Sequence, residues 1–131
     1  MTPRAILAAA LLFSSLGAVP QTTSDPHSIP AVDAALGDCF ADFLITGTDY
    51  KPVYNAKVST RVTYGFLNSH KLDLEVSTNV DGRARFNGLP GNLKHGLFFQ
   101  AAEGERAGSA FDDPSKNCKA QFAITLRKPA Q

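Results

Sequence analysis

Ala56-Lys57-Val58-Ser59-Thr60-Arg61-Val62-Thr63-Tyr64 is the stretch that decides the fold. Ala56, Val58, Thr60, Val62 and Tyr64 alternate with Lys57, Ser59, Arg61 and Thr63. A period of two puts the first set on one face and the polar set on the other, as in a half-buried antiparallel strand. The same period continues outward in both directions. Upstream, Cys39, Ala41, Phe43 and Ile45 share a face. Downstream, Leu72, Leu74 and Val76 mark a strand after a break at Gly65–Lys71. Asp81-Gly82 carries the signal of a tight hairpin into a short strand, Arg83–Phe86. Leu97, Phe99 and Ala101 alternate next, and Ser109–Phe111 reads as a short edge strand. The last strand turns Cys118, Ala120, Phe122, Ile124 and Leu126 inward. Frequent turns between about seven short strands predict an all-β fold, an antiparallel Greek-key β-sandwich.

The N-terminus has a different grammar. Arg4 precedes the apolar run Ala5–Phe13, and the small residues Ser14, Ser15, Gly17 and Ala18 follow. This is the layout of a secretory signal peptide over 1–18, cut after Gly17 or Ala18. The apolar run is shorter than the roughly 20 residues a bilayer span needs. Residues 19–37, rich in Pro, Ser and Thr at their start, read as a flexible tether, with one turn of helix at Ala31–Leu36 as a local alternative. The sandwich domain then occupies 38–128. A periplasmic or secreted location is expected, with no integral membrane segment after cleavage.

Charge narrows the partners. The 131 residues hold 13 Lys and Arg against 12 Asp and Glu. Removal of Arg4 with the leader leaves 12 against 12, a balance that argues against nucleic acid and against a polybasic membrane-surface protein. Cys39 and Cys118 are the only cysteines. In an exported chain an even count reads as a disulfide, and both residues fall on the inward parity of their strands; two buried free thiols are the alternative.

His-Glu-x-x-His and Gly-x-Ser-x-Gly are absent. Asp112-Asp113, with Asp81 or Asp49, offers oxygen ligands for Ca²⁺ but lacks the alternating acidic spacing of a calcium loop. His27, His70 and His95 read as surface residues. Tyr50, Tyr54 and Phe66 lie in or near loops, where exposed rings would form a ligand platform. Phe98 has outward parity beside inward Leu97 and Phe99, and the absence of Trp weakens a sugar-binding reading.

Two further segments carry a family resemblance. Gly47 followed by Lys51-Pro52-Val53-Tyr54-Asn55-Ala56-Lys57-Val58, and Ser77–Pro90 with its Asp81-Gly82 turn and Gly88-Leu89-Pro90 end, resemble the carboxypeptidase regulatory-like domains. These are transthyretin-like sandwiches of exported bacterial proteins. Ala84 stands where that family more often has an aromatic residue, and Gly65–Lys71 lengthens the middle. The resemblance implies a non-catalytic structural or protein-interaction module, not an enzyme, with no cofactor or metal. A carbohydrate-binding module of the cell envelope is the alternative, so the partner is a protein or an envelope glycan. Enzymes of similar fold carry other signatures. Intradiol dioxygenases hold iron with two Tyr and two His, but here Tyr50, Tyr54 and Tyr64 accompany a distant His70 and His95 and no His-x-His occurs. Hydroxyisourate hydrolases end in Tyr-Arg-Gly-Ser, whereas this chain ends Arg127-Lys128-Pro129-Ala130-Gln131.

Overall fold

The computed structural model describes residues 25–129. The leader, its cleavage site and the first part of the expected tether lie outside the described residues. Eight strands follow in order: β1 (Ala31–Asp33), β2 (Cys39–Thr46), β3 (Lys57–Tyr64), β4 (His70–Ser77), β5 (Arg83–Leu89), β6 (Leu97–Glu103), β7 (Arg106–Asp112) and β8 (Lys119–Thr125). They form two four-stranded sheets, β1-β5-β2-β8 and β4-β3-β6-β7. The all-β sandwich expected from the period-two pattern is what the chain builds. Most pairs are antiparallel, but β1–β5 and β2–β8 run parallel.

The core follows from the alternation. Along β2, Cys39, Ala41, Phe43 and Ile45 are buried and the residues between them are half-buried. Phe43 and Phe86 from one sheet meet Phe99 from the other, with centroids 4.8 Å apart for Phe43–Phe99 and 5.8 Å for Phe43–Phe86. Both pairs are edge-to-face, the arrangement that aromatic quadrupoles favour. Phe122 stacks on Phe43 at 5.7 Å.

Four local readings are corrected. Asp81-Gly82 does not close a tight hairpin, because β4 and β5 belong to different sheets. Gly82 does take a positive φ of 73°, and a Cβ there would lie 2.4 Å from the Ile45 carbonyl oxygen. The turn becomes an arch because Asn79 holds it from inside. Its Oδ1 accepts from the amides of Asp81 and Arg83, and its Nδ2 donates to the carbonyls of His27 and Ser28. The tether ends earlier than its sequence suggests. Ala31–Asp33 pairs with β5, Ala34 is buried, and Ala31–Leu36 forms no helical turn. Ser109–Phe111 is the middle of the seven-residue edge strand β7. Cys118 precedes β8 and is exposed, whereas Cys39 is buried, so only one of the two cysteines faces inward.

The Cys39–Cys118 disulfide is formed, with Cα atoms 4.6 Å apart. It joins the N-terminal ends of two parallel neighbours, next to a hydrogen bond from the Phe40 amide to the Cys118 carbonyl at 2.9 Å. Among the described residues, no helix is long and apolar enough to cross a membrane.

Candidate functional site

The strand directions sort the loops into two ends. Segments 65–69, 90–96 and 113–118 lie at the disulfide end. Segments 47–56, 78–82 and 104–105 lie at the opposite end. This sorting separates the residues singled out in the sequence. Tyr50 and Tyr54 are exposed at the far end, before β3 begins. Phe66 is exposed at the disulfide end, just after β3 finishes. The three rings therefore do not form one platform. Tyr54 borders a shallow recess with Asp49, Lys51, Glu103 and Arg106, in which Arg106 and Glu103 are ion-paired. Nearby, the His27 Nδ1 lies 2.9 Å from the Asp81 carboxylate, which raises the imidazole's affinity for a proton.

The disulfide end brings together residues that are scattered in the sequence. In the β3–β4 ladder Tyr64 lies opposite His70, and their rings stack with centroids 5.2 Å apart. The pairing depends on Gly65. Its φ is 83°, and a Cβ there would come within 2.6 Å of the His70 ring. Beside Tyr64 opens a cleft of about 250 Å³ lined by Thr63, Tyr64, Gly65, Asn68, Asn92, Leu93 and Lys94. One wall comes from the β3–β4 turn and the other from the β5–β6 connection. The cleft offers a phenol ring, an apolar leucine, two carboxamides, a hydroxyl and an ammonium group. Lys94 makes no ion pair among the described residues.

Asp112 closes β7 at this same end, opposite Leu97 of β6. It is 4% exposed, and its Oδ2 has no hydrogen-bond partner. Burial raises its pKa, opposed in part by the Asp113 amide and assisted by the Asp113 charge. The raised affinity means that the folded chain holds this proton more tightly than the unfolded chain. Stability then falls as pH rises from about 4 through the raised value, and the whole penalty is present above it. Asp112→Asn is expected to flatten that part of the stability–pH profile. Urea unfolding at a series of pH values checks this, and a variant profile parallel to the wild type would refute it.

The two outer sheet faces carry further groups. On one, Arg85 lies 3.8 Å from the centre of the Phe40 ring and pairs with Asp42 at 3.5 Å. On the other, exposed Phe98 and Phe111 are cross-strand partners, and Arg61 pairs with Asp73 at 2.7 Å. The outward parity of Phe98 is as the alternation predicted.

The iron donor set weighed from sequence is not assembled. Tyr50 and Tyr54 stand at the opposite end from Tyr64, His70 and His95. The His70 imidazole lies against the face of Tyr64 instead of converging with it on a shared point. Among the described residues, no three His, Cys, Asp or Glu side chains are grouped to hold a metal ion. Asp112 and Asp113 likewise build no calcium site. Asp113 instead accepts from its own loop, from the Ser115 hydroxyl at 2.6 Å.

No family model matches the chain, and no curated protein does. Solved structures do. The chain is similar to a 3-chlorocatechol 1,2-dioxygenase from Rhodococcus opacus, with a TM-score of 0.48 and 13% identity over 81% of this chain and 66% of that one. It is similar to wild-type catechol 1,2-dioxygenase from Acinetobacter radioresistens, with a TM-score of 0.48 and 14% identity over 80% and 60% of the two chains. A mercury-inhibited catechol 1,2-dioxygenase from an Acinetobacter species gives 0.48 and 15% over 86% and 64%. The chain thus spans 60–66% of the length of these enzymes. At such identities the likeness is one of fold. It nevertheless corrects the family resemblance: the structures found are dioxygenases, not carboxypeptidase regulatory-like or transthyretin-like domains. The expectations drawn from that resemblance are withdrawn with it. Those are the non-catalytic structural or interaction module, its carbohydrate-binding alternative, and the exclusion of enzymes.

Proposed function

We propose that the chain binds a small single-ring aromatic acid or phenol in the cleft between the β3–β4 turn and the β5–β6 connection. The observation that carries this reading is the composition of that cleft. Tyr64 and Leu93 supply an apolar wall, while Lys94, Asn68 and Asn92 supply a cation and amide donors at its rim. A cation with carboxamide donors matches a carboxylate or phenolate, and a ring packs on a ring. A cleft of about 250 Å³ has room for one six-membered ring with its substituents. No step through a metal is assigned.

The affinity this site can reach is modest. A ligand of about nine non-hydrogen atoms at about 0.5 kcal/mol each gives about 4–5 kcal/mol, a Kd near 1 mM or somewhat below. Benzoate and catechol, the latter named for the dioxygenases above, are suitable probes. Lys94→Ala removes the cation, and its loss is expected to weaken benzoate by about tenfold. Titration calorimetry on the wild type and on Lys94→Ala checks this. Equal affinities for the two proteins would refute the assignment.

A further inference from the structure

The β3–β4 turn projects two apolar side chains into solvent. Phe66 is 83% exposed and Leu67 is 75% exposed. The turn is closed by hydrogen bonds from the Asn68 amide to the Gly65 carbonyl at 3.1 Å and from the Ser69 amide to the Phe66 carbonyl at 3.2 Å. Leu67 sits at φ 56°, ψ 28° and Asn68 at φ 53°. The left-handed region suits asparagine but is costly for leucine. A strained conformation that holds an apolar side chain away from the core favours a use for that side chain.

Two lysines flank the tip. Lys71 follows the turn on β4, and Lys94 lies across the cleft from Gly65 and Asn68. Both are exposed. Asp73, the nearest acid further along β4, is engaged by Arg61 at 2.7 Å. At the same end of the sandwich Lys116 and Lys119 are exposed as well, against Asp38, Asp113 and the buried Asp112.

We infer that this tip is a peripheral anchor for an anionic lipid surface. Phe66 and Leu67 enter the headgroup boundary, and Lys71 and Lys94 sit over the acidic headgroups. An apolar tip flanked by lysines fits that partner because insertion and surface potential act together, while neither alone holds a protein firmly. A purely apolar groove would satisfy the two apolar side chains but leave the lysines without a role. Lys94 is shared with the cleft described above, whereas Phe66, Leu67 and Lys71 do not line it.

The test uses the protein with the disulfide intact. Co-sedimentation is measured with vesicles of phosphatidylcholine alone and of phosphatidylcholine with phosphatidylglycerol. Binding to the anionic vesicles is expected, reduced by about fivefold or more on neutral vesicles and at high salt. The double variant Phe66→Ser, Leu67→Ser is expected to lose about as much on the anionic vesicles. Both side chains are exposed, so its thermal unfolding should match the wild type and show that it is folded. Lys71→Gln with Lys94→Gln should abolish the preference for anionic vesicles. Absence of binding to either vesicle, or full binding by the double serine variant, would overturn the inference.

Discussion

Removing the Cys39–Cys118 bridge is expected to lower the unfolding free energy by up to about 4–5 kcal/mol, the cost of releasing a long closed loop in the chain-entropy account. The bridge spans a sequence separation of 79, which is most of the sandwich. A single domain has only about 5–15 kcal/mol in total, so this is a large share. The bridge also pins the start of β2 to the approach of β8, a parallel pair that no short turn connects. Parallel neighbours need a long crossover, and here the crossover includes five other strands. Urea unfolding of the oxidised protein and of a Cys39→Ala, Cys118→Ala variant measures the difference. A midpoint shared by the two would contradict it.

Phe43→Ala is expected to cost about 3–5 kcal/mol, the range for deleting a fully buried phenylalanine without collapse of the cavity. Phe43 is 1% exposed and touches three rings: Phe86 and Phe122 within its own sheet and Phe99 in the facing one. Its loss removes a contact between the sheets as well as filling volume. Phe122→Ala provides the comparison. Phe122 is only half-buried, so a smaller loss is expected there. Equal losses at the two positions would show that the centre of the core lies elsewhere.

The sandwich was legible because its signal is local. Burial alternates along β2 and β3 in step with residue polarity, and parity alone placed Phe43, Phe99 and Ile124 inside. The partners of a strand were not legible. Asp81-Gly82 has the chemistry of a tight turn, and only Asn79, anchored to the His27–Ser28 backbone, makes it an arch between sheets. Strand β1 carries three residues and a weak pattern, and it forms because β5 presents an edge to it. The candidate cleft was hidden for the same reason. Thr63–Asn68 and Asn92–Lys94 are far apart in sequence and meet only once β3 and β6 pair. Tyr50, Tyr54 and Phe66 were singled out for lying in or near loops and are exposed, but their sequence spacing concealed that β3 holds them at opposite ends. A nearly balanced total charge, 13 Lys and Arg against 12 Asp and Glu, likewise concealed the lysines that two separate segments place around one apolar tip.

Backbone amide shifts followed by NMR during titration with benzoate test the assignment of the cleft most directly. The account predicts saturable shifts concentrated at Thr63–Asn68 and Asn92–His95, with the far-end residues Tyr50 and Tyr54 unmoved. Shifts centred on the far end or on the outer face around Phe98, or no saturable shift at all, would contradict it.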